Sequence, residues 1–370
     1  MKKEIALASR TLTVRIISLS LTLLSACDAA AGDKTEPSKT IIYESGTQGY
    51  HTYRIPALVV TREGTLLAFC EGRKTSRSDH GDIDLMLRRS SDGGRTWEAQ
   101  RIVHEEGGTE KITIGNPCAV VDEETGIVWL AFCRDNDRVF MTHSADEGKN
   151  WTQPREITDK VKKPTWGWYA TGPGHGIQLQ RGEYKGRLVI PCDCGDSKGW
   201  GDWEKKGHSL VIYSDDHGKS WTRGNITENS MNECEVVELA DGSLLLSMRN
   251  YRGPKQRAFA VSKDGGNTWS SPQHHEQVYC PTCQSSLHRF SWQPNRILYS
   301  GPGGPGRENM TIRLSNDEGK TWPVAKVLKK GSAAYSDLAI LPDGRIGCLY
   351  EVDGYKQIVF AGFPLQWLTE

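Results

Sequence analysis

One eight-residue pattern, Ser-x-Asp-x-Gly-x-x-Trp, occurs five times in this chain and constrains its fold more than any other feature. The copies, called boxes below, begin at Ser90, Ser144, Ser214, Ser262 and Ser315. Repeats with a period of roughly 50 residues are typical of propellers and solenoids. The box aspartate can accept hydrogen bonds from amides of its own turn, and the glycine allows a positive φ. We interpret the boxes as structural turns, because none has the carboxylate density of a calcium loop.

Three strand-like runs accompany each box, and a less regular fourth run follows it. In the first unit the runs are 56–60 (PALVV), 64–70 (GTLLAFC) and 84–89 (DLMLRR), and the box comes next. A sixth unit, 336–363, has the three runs without a box. This order predicts an all-β fold, a six-bladed β-propeller of four-stranded antiparallel blades over residues 40–370. Joining the chain ends in one blade would remove free sheet edges.

The predicted blade separates the chain into two faces. Boxes lie on one face, whereas the starts of first strands and the ends of second strands meet on the other, around the central channel. The polar residues at those positions are Arg54, Arg73, Asp79, Asn116, Arg134, His175, Asp193, Glu233, Arg249, Arg307, Tyr335 and Glu351. Any one of them alone would be an ordinary solvated loop residue. Their convergence from different blades predicts a functional site.

The motif Tyr-Arg-Ile-Pro at 53–56, taken with the boxes, is similar to the Asp-box family of bacterial and animal exo-α-sialidases, glycoside hydrolase family 33. Further matching stretches are 71–74 (EGRK), 168–179 (WYATGPGHGIQL), 232–242 (NECEVVELADG), 307–315 (RENMTIRLS) and 335–344 (YSDLAILPDG). The resemblance runs from about residue 40 to the C-terminal end. It implies hydrolysis of terminal α-linked sialic acid from glycans, with retention of configuration.

The resemblance assigns three arginines, Arg54, Arg249 and Arg307, to the substrate carboxylate. Arginine suits this task, because its planar guanidinium pairs with a carboxylate through two hydrogen bonds and stays charged. Three neighbouring cations repel one another, so an acid should orient one of them. Glu351 matches the family residue that steadies Arg54.

The resemblance also assigns the catalytic groups. Tyr335 is the expected nucleophile, since sialidases are the tyrosine exception among retaining glycosidases, and a neutral phenol approaches an anionic sugar without repulsion. Its unperturbed pKa is about 10, so it needs activation, and Glu233 matches the general base. Asp79 matches the acid that protonates the leaving oxygen and later activates water. Asp82 and Asp84 lie in the same stretch and remain alternatives.

The remaining pocket residues are expected from the same resemblance. Arg73 and Asn116 match positions near the N-acetyl and C4 side of the sugar. The longest interval between boxes carries several aromatic residues, and Trp168 and Tyr169 are the predicted pocket walls for the glycerol side chain or the aglycone. The others are Trp166, Trp200 and Trp203. Packing within the blade is the alternative for any of these rings.

The N-terminal residues read as an export signal. Basic residues precede an apolar run at 16–24 that is too short to span a bilayer, and Leu-Ser-Ala-Cys at 24–27 resembles a lipoprotein cleavage box. We expect a signal peptide over 1–26, lipidation of Cys27 and a polar tether over 27–39. An ordinary signal peptide is the alternative. The expected location is the periplasm, the outer membrane or the cell surface of a bacterium.

Composition bears on partners and metals. Lys+Arg and Asp+Glu are 46 each, so nothing favours nucleic acid or an anionic membrane surface. Sialylated glycans are the expected partners of a monomer whose membrane contact is the lipid anchor alone. The cysteine pairs at 280–283 and 192–194 do not make a zinc site, because the second spacing is wrong and no histidine pair completes a set. We expect no metal or cofactor, and buried thiols or a disulfide.

Two other functions remain open at this point. A trans-sialidase would use the same residues to pass sialic acid to another sugar. A non-catalytic glycan-binding propeller could use the arginines, but it would not require Tyr335 beside Glu233.

Overall fold

A computed structural model describes Met1 and residues 36–196 and 202–370 of the chain. The predicted signal peptide, Cys27, most of the tether and Trp200 lie outside the described residues. Contacts divide the chain into two units, 1–34 and 35–370, and the second unit contains every element described below. Across the described residues, no helix has the length and apolar character needed to cross a membrane.

The all-β prediction is confirmed, because the described ranges form twenty-five strands and only three helices of four or five residues. The strands are β1 Ser38–Glu44, β2 Thr52–Val60, β3 Leu66–Arg73, β4 Ile83–Ser90, β5 Arg101–His104, β6 Ile114–Val121, β7 Val128–Arg134, β8 Arg138–Ser144, β9 Arg155–Glu156, β10 Trp168–Thr171, β11 Gly174–His175, β12 Ile177–Gln178, β13 Leu188–Gly195, β14 Gly207–Ser214, β15 Thr222–Arg223, β16 Met231–Glu238, β17 Leu244–Asn250, β18 Gln256–Ser262, β19 Gln273–Tyr279, β20 Ser286–Trp292, β21 Asn295–Pro302, β22 Glu308–Ser315, β23 Val324–Ile340, β24 Ile346–Val352 and β25 Gln357–Phe363. The helices are α1 Thr158–Val161, α2 Trp203–Lys206 and α3 Leu365–Thr369.

These strands form five hydrogen-bonded sheets, numbered here in chain order: the first contains β2, the second β6, the third β13, the fourth β16 and the fifth β23. Two sheets have four strands, in the orders β2-β3-β4-β5 and β16-β17-β18-β19. Two have five, one ordered β11-β6-β7-β8-β9 and one ordered β10-β13-β14-β15 with β12 also pairing with β13. The fifth has seven strands, ordered β1-β25-β24-β23-β22-β21-β20. Neighbouring strands run antiparallel, apart from the short β11, which runs parallel to β6.

The seven-stranded sheet contains one long strand, β23, that pairs with a different neighbour along each half. The first half of β23 pairs with β22, and its second half, from Ala333 to Ile340, pairs with β24. At the far edge β1 pairs with β25, so the first described strand joins the last strand of the chain. As expected, the two ends of the described chain therefore meet in one sheet and cover its edge.

The boxes are turns closed by their own hydrogen bonds. In the first box the Asp92 carboxylate accepts bonds from the Thr96 hydroxyl and from backbone amides of the turn, and these bonds lower the pKa of Asp92 to about 2. The amide of Gly94 donates to the Ser90 hydroxyl, and Gly94 has φ +84. Trp97 packs edge-on against Phe360 of β25, 5.3 Å between ring centroids. The box therefore also fastens the first sheet to the last.

The core lies between successive sheets. Phe69 of β3 and Leu87 of β4 share one buried cluster with Ile114 of β6 and Phe132 of β7. Such burial supplies most of the stability of a sheet protein, at roughly 25 cal/mol for each Å² of apolar surface removed from water. The polar ends of the same strands remain free to form a site.

Candidate active site

Several predicted site residues lie at or beside register shifts in strand pairing, in the first strand of their units. The pairing register shifts between Arg54 and Ala57 in β2, and between Gly115 and Cys118 in β6. Comparable shifts enclose Glu233 in β16 and Tyr335 in β23. A β-bulge turns a side chain away from the regular alternation and is common beside active sites.

These register shifts surround one pocket. Its lining residues are Ile55, Glu71, Arg73, Asp79, Asn116, Asn136, Trp168, Ala170, Asp193, Trp203, Asn232, Glu233, Arg249, Tyr251 and Tyr335. The lining thus includes seven of the eleven residues to which the family resemblance assigns a role, and Asp193 from the wider set of converging polar residues. It draws on the first four sheets and on the second half of β23.

A phenol, a carboxylate and a guanidinium meet on one side of the pocket. The Tyr335 hydroxyl donates to Glu233 Oε1 at 2.5 Å. Arg249 Nη1 donates to Glu233 Oε2 at 2.6 Å and to the Tyr335 oxygen at 2.9 Å. Burial, with the nearby Glu233 carboxylate, raises the pKa of Tyr335 well above its ordinary value, although the arginines oppose this. The unliganded site therefore holds a neutral phenol, already hydrogen-bonded to a proton acceptor.

The other two predicted carboxylate-binding arginines lie against the same tyrosine. The guanidinium carbon of Arg54 is 5.0 Å from the centroid of the Tyr335 ring, and that of Arg307 is 5.5 Å away. Three cations from β2, β17 and the loop before β22 thus surround one phenol. This concentration of positive charge favours an anionic ligand and would stabilise a phenolate.

Glu351 holds Arg54 through a bidentate ion pair. Arg54 Nε lies 2.9 Å from Oε1 and Nη2 lies 3.2 Å from Oε2 of this fully buried carboxylate. The backbone amides of Ile55 and Tyr335 also donate to Glu351. The predicted partner of Arg54 therefore links the strand that carries an arginine to the strand that carries the tyrosine.

Of the three aspartates at 79, 82 and 84, the structure places Asp79 in the pocket lining. Its Oδ1 is 2.7 Å from Arg73 Nη1 and 3.5 Å from Arg54 Nη1, and its side chain is 31% exposed. Asp84 instead accepts a hydrogen bond from Tyr50. Both Asp82 and Asp84 pair with Lys74 outside the pocket lining. Of the three candidates, only Asp79 lines this pocket.

Arg73 and Asn116 are joined by a residue that the sequence did not single out. Glu71 accepts two hydrogen bonds from the Arg73 guanidinium, at 3.0 and 2.6 Å, and one from the backbone N–H of Asn116 at 3.0 Å. Glu71 and Arg73 are two residues apart in β3, so they lie on the same face of the strand. That spacing within the EGRK motif was the signal that could have identified Glu71.

Trp168 and Tyr169 separate into two environments. Trp168 lines the pocket, but Tyr169 is 0% exposed and lies in a core cluster with Cys192 and Cys194. Consecutive residues of a strand point to opposite faces, so both could not line the pocket from β10. The prediction of Tyr169 as a pocket wall is therefore wrong. Trp203 of α2 does line the pocket, beside Trp168.

Tyr355 is a second residue that the sequence reasoning missed. Its ring lies 4.1 Å from the Arg54 guanidinium carbon, and its hydroxyl accepts a hydrogen bond from Arg307 at 3.1 Å. The carbonyl of Thr282 accepts the other bond from Arg307, at 3.0 Å. These contacts fix two arginines that Glu233 does not reach. Tyr355 lies in an unremarkable turn sequence before β25, so no pattern pointed to it.

Among the described residues, the cysteines and the possible metal ligands do not line this pocket, although Cys283 packs in the buried cluster that contains Tyr335. The nine cysteines in the described ranges are buried free thiols. His175, Glu235 and Asp337 form the one group there with ligand atoms close enough for a metal, and His175 Nδ1 is 2.7 Å from Asp337. Burial lowers the pKa of His175, but the two carboxylates raise it to about 9. A charged imidazolium thus already balances the carboxylates of this cluster.

The geometry defines a class of site, in which three arginines surround a tyrosine that is hydrogen-bonded to a carboxylate. Residues 64–348 match the BNR repeat-like domain family. Similar proteins include a sialidase of Micromonospora viridifaciens, 33% identical over 93% of this chain, and a sialidase of Bacteroides fragilis, 32% identical over 84%. The chain spans 57% and 62% of the length of these two relatives.

A solved structure also shows similarity to a sialidase. The Hadza microbial sialidase superposes with a TM-score of 0.79 at 29% identity, over 89% of this chain and 69% of the other. The chain belongs to the BNR-repeat family of sialidases.

Proposed function

We propose that this protein is a retaining exo-α-sialidase that removes terminal α-linked sialic acid from glycoproteins, glycolipids and oligosaccharides. The observation that carries the proposal is the Tyr335 hydroxyl, hydrogen-bonded to Glu233 and surrounded by three guanidinium groups. Sialic acid carries its carboxylate on the anomeric carbon, C2. An enzyme must therefore bind an anion and attack the adjacent carbon, and this site combines both tasks.

The first half of the reaction forms a bond between Tyr335 and C2. Arg54, Arg249 and Arg307 bind the carboxylate, while Glu233 takes the phenol proton as the tyrosine oxygen attacks C2. The bond from C2 to the leaving oxygen breaks, and protonated Asp79 gives its proton to that oxygen. A positioned acid typically contributes about 10²-fold to 10⁴-fold in rate.

The second half returns the enzyme to its starting state. Asp79, now a carboxylate, takes a proton from water as the water oxygen attacks C2 from the side that the leaving group vacated. The bond from C2 to Tyr335 breaks, and the phenolate recovers its proton from Glu233. Two inversions at C2 give net retention, so α-sialic acid is the first product.

The fold supports a six-bladed propeller as the frame of this site. Four sheets each contribute one predicted blade. The seven-stranded sheet divides at β23 into β20-β21-β22 with the first half of β23, and the second half of β23 with β24, β25 and β1. This division gives six groups of strands, four with four strands and two with five, and Trp97 packing on Phe360 links the first group to the sixth.

Proton NMR of a sialoside digest tests the proposed function directly. We expect cleavage of 4-methylumbelliferyl α-sialoside and of sialyllactose, with α-sialic acid appearing before its β anomer. A digest containing excess lactose as acceptor should yield free sialic acid as the main product. A β anomer formed first would contradict retention, and transfer to lactose in place of release would identify a trans-sialidase.

Replacing Asp79 with alanine should slow natural substrates more than activated ones. Removal of the acid leaves a poor leaving group unprotonated, so kcat/KM on sialyllactose should fall by roughly 10²-fold to 10⁴-fold. The methylumbelliferyl sialoside, whose leaving group needs little protonation, should lose much less. Asp82→Ala is the matched control, because Asp82 pairs with Lys74 outside the pocket. Equal losses on the two substrates would count against Asp79 as the acid.

Lipidation of Cys27 is the proposed basis for membrane attachment. The proposal rests on the basic residues, the short apolar run and the Leu-Ser-Ala-Cys sequence at 24–27. Growth with radiolabelled palmitate should label the full-length protein in a bacterial host but not a Cys27→Ala variant. Equal labelling of both proteins would contradict this assignment.

A further inference from the structure

A buried carboxyl group outside the proposed reaction joins two walls of the pocket. Asp193, in β13, is 0% exposed. Its Oδ1 accepts hydrogen bonds from Trp168 Nε1 at 3.0 Å and from Asn232 Nδ2 at 2.8 Å. No hydrogen bond reaches its other oxygen from the described residues. All three residues line the pocket, and Asn232 directly precedes Glu233.

Trp168, Trp203 and Tyr251 together form an aromatic wall of the pocket. Trp168 meets Trp203 edge-on with 5.3 Å between centroids, and Trp203 stacks on Tyr251 at 6.1 Å. Tyr251 in turn lies 5.0 Å from the guanidinium carbon of Arg249. The wall is built on the third and fourth sheets, with α2 between them, whereas Arg73 and Asn116 belong to the first and second sheets.

The order of the ring carbons in sialic acid indicates which part of the substrate contacts this aromatic wall. The inference rests on the proposed function, in which the C2 carboxylate binds the arginines, and on the placement implied by the family resemblance, in which the C4 and C5 substituents face Arg73 and Asn116. The next ring carbon, C6, carries the glycerol side chain, which then points to the third and fourth sheets. Aromatic rings offer that chain apolar contact, while an amide offers its hydroxyl groups a hydrogen bond.

We propose that Asp193 is a positioning residue for specificity, which holds the Trp168 indole and the Asn232 amide where they receive the glycerol side chain of sialic acid. Without Asp193, the indole N–H and one amide N–H would lose their shared buried acceptor. Buried donors that lose an acceptor tend to turn toward another partner, so both side chains would leave their present positions. The effect on substrates should then concentrate at the glycerol end.

The protonation state of Asp193 determines which substitution preserves this arrangement. Burial, reinforced by the nearby Glu233 carboxylate, raises the pKa of Asp193 well above its ordinary value. This shift favours the uncharged acid over the carboxylate. Asparagine reproduces its shape, its acceptor oxygen and its lack of charge, whereas leucine keeps a similar volume without an acceptor.

Paired substrates test the proposal. Mild periodate oxidation of methylumbelliferyl sialoside followed by borohydride reduction removes C8 and C9 and leaves a one-carbon side chain. Wild-type protein is expected to favour the intact compound by about tenfold or more in kcat/KM, since a lost group in a fitted pocket typically costs this much. Asp193→Leu should reduce that preference nearly to one, mainly by raising KM on the intact compound. Asp193→Asn should restore most of the preference.

Thermal melting would show whether Asp193→Leu impairs folding. A second variant keeps the test decisive in that case. Trp168→Phe keeps an aromatic ring but removes the N–H that Asp193 accepts, so it should lose part of the same preference. If Asp193→Leu or Trp168→Phe kept the wild-type preference, the proposal would be overturned, although the proposed function would stand. A wild-type protein that cleaves neither compound would contradict the proposed function and this proposal together.

Discussion

Tyr335→Phe is expected to reduce kcat on sialosides by at least about a thousandfold, because the variant lacks the oxygen that bonds to C2. The ring should stay in place, since it packs with Ile55 and Ala334 and lies between the Arg54 and Arg307 guanidinium groups. The arginines should therefore still bind the carboxylate. Calorimetry with the unsaturated analogue 2-deoxy-2,3-didehydro-N-acetylneuraminic acid should give a Kd within a few fold of wild type, which separates chemistry from binding.

A matched control is available in the next strand. Tyr350 of β24 is buried in a core cluster outside the pocket lining, so Tyr350→Phe removes a hydroxyl of the same kind without touching the site. It should retain most of the activity. Parental turnover by Tyr335→Phe would exclude the tyrosine as nucleophile, and loss of analogue binding would show that the substitution disturbed the arginines.

Arg249→Ala should have the second-largest effect, and it should weaken binding and turnover together. Arg249 is buried and contacts both Glu233 and the Tyr335 oxygen. Removing one partner of a buried, hydrogen-bonded ion pair typically costs about 2–5 kcal/mol. We therefore expect kcat/KM to fall by roughly 10²-fold or more, and the analogue to bind more weakly by a similar factor.

A neutral substrate shows whether the loss reflects recognition of the carboxylate. Wild-type protein should strongly prefer methylumbelliferyl sialoside over the amide made from its carboxylate, and Arg249→Ala should lose much of that preference. Arg62→Ala is the control, because Arg62 is exposed and pairs with Glu63 at a turn outside the pocket. An undiminished preference in Arg249→Ala would place carboxylate binding elsewhere.

The sequence predicted this site well where repetition determines position. The boxes identified the third strand of the first five units, and from there the starts of first strands and the ends of second strands could be counted. Tyr335, Glu233 and Arg249 indeed come together at hydrogen-bonding distance. The expected contact of Arg54 with Glu351 is also present, across 297 residues of sequence. Their catalytic roles remain predictions.

The errors and omissions arise where side-chain direction decides the outcome. Tyr169 is adjacent to Trp168 in sequence yet faces the core, since β10 alternates its faces. Glu71 and Tyr355 act by holding arginines. The two-residue spacing to Arg73 could have identified Glu71, whereas no sequence pattern pointed to Tyr355. The undivided β23, which serves two groups of strands, was likewise absent from a prediction of separate four-stranded blades.

Covalent trapping tests the central claim most directly. In 2,3-difluorosialic acid the C2 fluoride is a good leaving group, while fluorine at C3 disfavours the positive charge that develops at C2 when the intermediate is hydrolysed. Mass spectrometry of a proteolytic digest should then find one 3-fluorosialyl group, attached to Tyr335. Attachment to Glu233 or Asp79, or the absence of any adduct from protein that hydrolyses sialosides, would contradict a tyrosine nucleophile in this site.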